Sequence, residues 1–209
     1  MPSFDLEDSL RKKYPVIIGV DEVGCGPWAG PLVAASCYID PNLFPQNLRQ
    51  MINDSKKMTQ KKREEFVLKI KPENGISIWH GIGVVDIEEF NQVGLKKALP
   101  LVIQRAVDAF SLSVDHVLID GIRNPNLNIP TTMVIKGDQK SYSIAAASII
   151  AKVFRDNMMQ ELHQLYPHYQ WDKNAGYGTK SHIDAICQFG ISPHHRICYK
   201  PIQKFLNVD

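Results

Sequence analysis

Residues 16–39 read VIIGVDEVGCGPWAGPLVAASCYI. Val16 to Val20 and Leu32 to Ile39 are runs of β-branched and small residues that predict two strands, and Pro27, Gly30 and Pro31 punctuate the turn between them. The pair reads as a hairpin with a wide connection over residues 21–31. Gly24, Gly26 and Ala29 satisfy G-x-G-x-x-A, but a dinucleotide-binding turn must open a helix that holds a pyrophosphate at its N-terminus. Here Pro31 leads into a second strand, and Asp21 and Glu22 would repel a diphosphate, so that reading is set aside. Neighbouring strand residues point to opposite faces. Both carboxylates can therefore serve one site only if the strand ends or bulges at the pair, which Gly24 permits. Two acids at a strand end suit a hard divalent cation such as Mg²⁺ or Mn²⁺. An isolated Asp-Glu pair reads more simply as a solvated acidic turn.

Outward from this stretch, Asn42 to Ser55 reads as irregular, and Thr59 caps a helix running to Lys69. Ile76 to Val85 predicts a strand. Asp86 to Glu89 forms a capping-box pattern, followed by helical spacing from Leu95 to Phe110 with a kink or helix start expected at Pro100. His116 to Asp120 and Thr132 to Lys136 predict two more strands. Ser143 to Leu165 is a long helix whose small first half, Ala145 to Ala151, can approach a sheet closely. An aromatic-rich loop, residues 167–178, and a short helix, Thr179 to Phe189, follow. The pattern predicts an α/β chain with a mixed β-sheet flanked by helices. It divides into a main body, residues 1–168, and a small C-terminal helical portion, residues 169–209, packed on it.

The chain has 209 residues, 44% of them hydrophobic, enough to build a core without disulfide or metal staples. Its net charge of +2 announces no nucleic-acid partner, so any such partner must be argued from local charge. No apolar stretch approaches the ~18 residues that span a bilayer, and residues 1–14 contain no apolar signal core. A cytoplasmic monomer without membrane contact is expected. The cysteines, Cys25, Cys37, Cys187 and Cys198, form no C-x-x-C pair and read as reduced, mostly buried thiols. Cys187, His194, His195 and Cys198 match the spacing of no common zinc module.

Company strengthens the Asp21–Glu22 pair. Asp120 ends one apolar strand, and Asp138 follows another through Gly137. Acids at three strand ends repel one another unless a cation binds there. Four carboxylates leave room for two ions ~4 Å apart, the arrangement that serves phosphoryl transfer. Lys56, Lys57, Lys61, Lys62 and Arg63 lie in one short stretch; the last three read as an ordinary charged helix face, whereas Lys56 and Lys57, with Ser55 beside them, precede the helix and can hold phosphate oxygens. Tyr169, Trp171 and Tyr177 offer stacking surfaces for sugars or bases. Arg155 and Asp156 read as an ion pair or support, and Trp28 and Trp79 as packing.

The passages GVDEVGCGPWAGPLVAA, NDSKKMT, LIDG, VIKGDQKSYSIAAASIIAKVFRD and GYGTKSH, in this order between Val16 and about Lys204, make the sequence resemble bacterial ribonuclease HII. The resemblance implies a ribonuclease H-like sheet and an endoribonuclease that hydrolyses RNA in RNA–DNA hybrids, single ribonucleotides in duplex DNA included. It further implies in-line attack assisted by two Mg²⁺ or Mn²⁺ ions, leaving 5′-phosphate and 3′-OH ends. The family's metal-site acids fall on Asp21, Glu22, Asp120 and Asp138, its glycine turn on Gly24, Cys25 and Gly26, its phosphate contacts on Ser55 and Lys56, and its sugar-stacking tyrosine on Tyr177. The family usually carries Arg where Cys25 stands, so one cation is missing from the turn, while backbone groups there can still read a ribose 2′-OH.

Overall fold

A computed structural model describes residues 2–53 and 55–206; Asp54, inside NDSKKMT, lies outside them. Helix α1 (Asp5–Arg11) precedes strands β1 (Ile17–Val23) and β2 (Leu32–Ile39). Helices α2 (Gln46–Arg49) and α3 (Gln60–Ile70) lead to β3 (Ile78–Val85), α4 (Ile87–Asp108), β4 (His116–Asp120) and β5 (Thr131–Val134). The long helix α5 (Tyr142–Leu165) is followed by α6 (Trp171–Asn174), α7 (Lys180–Phe189) and α8 (Lys200–Gln203).

The five strands form one mixed sheet in the order β3-β2-β1-β4-β5. The wide hairpin is present: β1 pairs antiparallel with β2, and β2 with β3. Strands β4 and β5 join in parallel on the other side of β1. Helices cover both faces, which explains why β1 and β2 carry continuous apolar runs rather than alternating ones. Ile18, Val20, Leu32 and Ala34 pack toward α4 with Phe90, Val102 and Ala106. Val33, Ala35 and Cys37 pack toward α5 with Ala146, Ile149 and Ile150. Each fully buried Ile, Leu or Val contributes about 1.5–3 kcal/mol of hydrophobic stabilisation. Gly19 lets α5 lie directly on the sheet: a Cβ there would stand 2.2 Å from the Ile144 backbone nitrogen.

Local capping follows the sequence. Thr59, Asp86 and Ser141 accept hydrogen bonds from the backbone N–H three residues on. Four expectations change. The stretch expected to be irregular contains α2, and β3 begins at Ile78 rather than Ile76. The break near Pro100 falls instead at Gly94, whose φ of +68° only glycine adopts easily, and Pro100 lies within the helix. Strand β5 stops at Val134, because Lys136 turns left-handed (φ +56°) into the tight turn Gly137–Gln139 that carries Asp138.

Beyond α5 the chain packs on its C-terminal half. Tyr169, Trp171, Ala185, Ile186 and Ile202 share a buried cluster with Met159 and with Ala29 from the β1–β2 connection. Tyr169 and Trp171 therefore point inward, stacked at 4.9 Å, and are not surfaces for a ligand. Among the described residues no helix is long and apolar enough to cross a membrane.

Candidate active site

Strand β1 neither ends nor bulges at the acidic pair. It continues in regular register, with Asp21 opposite Ala35, Glu22 opposite Ala34 and Val23 opposite Val33. Asp21 accordingly faces α5 and Glu22 faces the α4 side. What joins them is the other neighbour: pairing of β1 with β4 stops at Val20 and Ile119. Beyond that point the sheet opens, and Asp21, Glu22 and Asp120 line one cleft of about 450 Å³ with Ser55, Lys56, Arg63, Ser148, Lys152, Arg155 and Tyr177. Asp138 is buried behind it. Asp120 accepts the Gly137 N–H at 2.6 Å, and the Lys56 ammonium reaches Asp138 at 3.5 Å, so both tie the Gly137–Gln139 turn to the cleft.

Burial raises the Asp21 carboxyl well above the usual carboxylate range, and the nearby Glu22 and Asp120 charges add to it. Glu22 is raised by burial and Asp120. Asp120 is raised by burial, then by Asp138, against the lowering effect of the Gly137 N–H. Burial pulls the Lys56 amine down, but Asp138, Asp21 and Asp120 outweigh it and raise it. Among the described residues no three His, Cys, Asp or Glu side chains already close into a cage. The donor set nevertheless fits a hard divalent cation: these are oxygen ligands whose ionisation is hindered by one another, and a cation among them reverses that penalty.

The glycine turn borders the same cleft. Gly24 has φ +101°, and a Cβ there would stand 2.9 Å from the Pro31 carbonyl and 2.6 Å from Arg155 Nε. A Cβ on Gly26 would instead meet the Tyr177 ring, at 3.2 Å. Gly26 and the half-exposed Tyr177 thus form two walls of a slot. Cys25 directs its thiol to Glu22 Oε1 at 3.7 Å; burial, then Glu22, pushes that thiol up to about 12. The turn does not lack positive charge. Arg196, fully buried over the Phe90 ring, donates to the carbonyls of Gly30, Pro31 and Cys25. Arg155 donates to those of Pro31, Ala29 and Ala175.

Several of these residues escape a reading by sequence. Arg63 belongs to no ordinary charged face: it donates to the carbonyls of Ser55 and Met58 and pairs with Asp156, fixing the loop before α3. Ser148 holds Ser55 Oγ at 2.8 Å and faces Asp21. The signal that could reveal Ser148 is helical spacing: Ser148, Lys152, Arg155 and Asp156 form a polar strip along one side of α5, interrupting the apolar run that begins it. Arg155 is a carbonyl clamp, while Asp156 takes the ion pairs, with Lys152 and Arg63. Arg196 and the buried His182 and His195 carry no local signal. Cys187 is exposed, Cys37 buried, and Cys25 and Cys198 intermediate; all four are free thiols.

Comparison with known proteins adds the following. The family model described as Ribonuclease HII matches residues 18–204. The chain is 41% identical over 206 residues to a ribonuclease HII of Paramagnetospirillum magneticum, covering 99% of each chain. It is 44% identical over 203 residues to one of Wolbachia from Brugia malayi, covering 96% of this chain and 94% of that one. In fold it is similar to the ribonuclease H2 of Pyrococcus horikoshii, with a TM-score of 0.75 at 24% identity over 90% of this chain and 96% of that one. It is also similar in fold to Bst-RNase HIII in complex with Mn²⁺, with a TM-score of 0.68 at 20% identity over 91% and 68% of the two chains.

Proposed function

Because the chain belongs to the ribonuclease HII family and is an endoribonuclease of RNA–DNA hybrids, we propose that Asp21, Glu22, Asp120 and Asp138 form its reaction centre. On this reading they hold two Mg²⁺ or Mn²⁺ ions, and single ribonucleotides embedded in duplex DNA are substrates as well. The observation that supports it is the opening of the sheet beyond Val20 and Ile119, where three mutually repelling carboxylates meet beside the Gly26–Tyr177 slot.

The chain's own groups have distinct tasks. Backbone groups of Gly24 and Gly26, with Cys25 between them, read the 2′-OH, and the Tyr177 ring packs on the sugar. Ser55, oriented by Ser148, and Lys56 hold phosphate oxygens. Divalent cations, when bound, polarise the scissile phosphate and make a water ionise near neutral pH. Water oxygen bonds to phosphorus as the P–O3′ bond breaks in line on the 5′ side of the ribonucleotide. The upstream strand keeps a 3′-OH and the downstream one a 5′-phosphate. We read the protein as a cytoplasmic monomer, with residues 169–209 a helical portion that supplies Tyr177 to the body formed by residues 1–168.

The test is cleavage of matched duplexes, one with a single ribonucleotide and one all DNA, with Mg²⁺ or Mn²⁺. A nick 5′ of the ribonucleotide and an intact DNA control are expected. Equal nicking of both would make the protein a general DNA nuclease, and tight binding without any nick would make it a hybrid-binding protein.

A further inference from the structure

Two imidazoles outside the lining of the carboxylate cleft are fully buried and touch each other. His182 lies on α7 and His195 in the segment beyond it, with their Nε2 atoms 3.0 Å apart. Ser192 N–H, which can only donate, points at His195 Nδ1 at 2.9 Å. That ring therefore accepts at Nδ1 and carries its proton on Nε2, which donates to His182 Nε2. Trp171 Nε1–H donates to the same nitrogen at 3.1 Å. His182 is left with its proton on Nδ1, 2.9 Å from the carbonyl oxygen of Tyr177. Both rings are neutral in this arrangement, since a further proton would set two N–H groups face to face. Burial, then His182, accordingly pushes His195 down to about 3.

The chain of hydrogen bonds thus has one direction and ends on the backbone of Tyr177. The same carbonyl accepts Thr179 N–H at 2.8 Å, and Tyr177 N–H donates to Asn174 at 2.9 Å. Immediately before it, the Gly176 carbonyl accepts Trp28 N–H at 2.7 Å, stitching this loop to the glycine turn. The position of the Tyr177 ring over Gly26 is set through that backbone. We infer that Trp171, His182, His195 and Ser192 act as a positioning relay for Tyr177, fixing the width of its slot with Gly26 and so the enzyme's acceptance of a ribonucleotide. The inference rests on the reading of Tyr177 as a substrate contact.

A double-mutant cycle tests it, because a residue that acts through Tyr177 must lose its effect when that ring is gone. His182→Phe keeps an aromatic ring and removes all three ring hydrogen bonds, those from Trp171 and His195 and that to the Tyr177 carbonyl; it is expected to lower kcat/KM on the single-ribonucleotide duplex at least tenfold. His182→Asn, which can donate to the Tyr177 carbonyl, should recover part of that loss. In a Tyr177→Ala background the same substitutions should change kcat/KM less than twofold. Trp171→Phe, milder for folding, is carried through the same cycle, and all assays run well below the measured melting temperatures. Equal losses in both backgrounds, or no loss from either His182 or Trp171 substitution, would reduce the network to core packing while leaving Tyr177 a substrate contact. Full activity of Tyr177→Ala alone would overturn that contact and this inference with it.

Discussion

Asp21 shows how function and stability oppose each other at one residue. Its folded pKa is raised above the unfolded value of 3.8 by burial and by Glu22 and Asp120. The fold therefore binds more protons than the unfolded chain above pH 3.8, and stability falls as pH rises through that window. At neutral pH and without cations the ionised cluster is a net burden. Asp21→Asn keeps an acceptor for the Glu22 N–H and removes one charge. It should raise the metal-free melting temperature, by about 2–4 °C for each kcal/mol of relieved repulsion at this chain length, while cleavage falls by orders of magnitude. Added Mg²⁺ should stabilise the parent more than the variant. Thermal melts in chelator and in Mg²⁺ decide it, and a variant less stable in chelator would refute the repulsion argument. The two turn glycines should separate in the same way. Gly24→Ala meets backbone at a positive φ and should lose several kcal/mol of stability, whereas Gly26→Ala meets only the Tyr177 ring. The latter should melt near the parent and lose cleavage, and an unchanged rate would mean that the slot does not hold the sugar.

The start of α5 is fixed by another element far away in the chain. Glu7 on α1 is buried, and its Oε1 accepts Ser141 Oγ and Ser143 Oγ at 2.6 Å each and Ser143 N–H at 3.1 Å. Ser3 adds backbone bonds to Lys140 and Tyr142. These contacts clamp the segment directly after Asp138, so α1 stabilises the turn carrying one candidate metal ligand. Glu7→Ala strands three donors and should cost about 2–3 kcal/mol, since each unsatisfied buried group loses ~1–3 kcal/mol before relaxation. Glu7→Gln retains an acceptor and should cost less. Urea unfolding of the three proteins is the measurement; an unshifted Glu7→Ala midpoint would show that the serines find other partners.

Across the whole molecule two sets of titrating groups pull stability in opposite directions. The raised carboxyls of Asp21, Glu22 and Asp120 favour lower pH. The buried histidines favour higher pH: His195 is lowered to about 3 and His182 is lowered too, both first by burial. An imidazole neutral in the fold contributes stability that is present above the unfolded pKa of 6.5 and is lost as pH falls toward 3. His195 alone should remove about 2 kcal/mol between pH 7 and pH 5. Urea melts at the two pH values should show the loss partly offset by the carboxyls, and His195→Gln should flatten the histidine part. A variant with the parent's full pH dependence would show that this imidazole titrates alike in the folded and unfolded chain.

Sequence by itself determined what depends on near neighbours and residue type. The runs VIIGV and LVAASCYI are strands because β-branched and small side chains suit a sheet covered on both faces. Thr59 and Asp86 cap helices because the N–H they accept lies three residues away. The acids at the end of β4 and after β5, and the motifs around Gly24 and Tyr177, are legible because their order along the chain matches a family. Tertiary structure alone decided how Asp21 and Glu22 share a cleft, since that depends on where β4 leaves β1 and not on β1 itself. It alone turned Tyr169 and Trp171 inward, bound Arg155 to a carbonyl 124 residues away and set Glu7 on Ser143 across 136 residues. A buried polar side chain takes its role from the donor or acceptor that meets it, and chain order does not encode which one arrives when the partner is a hundred residues distant.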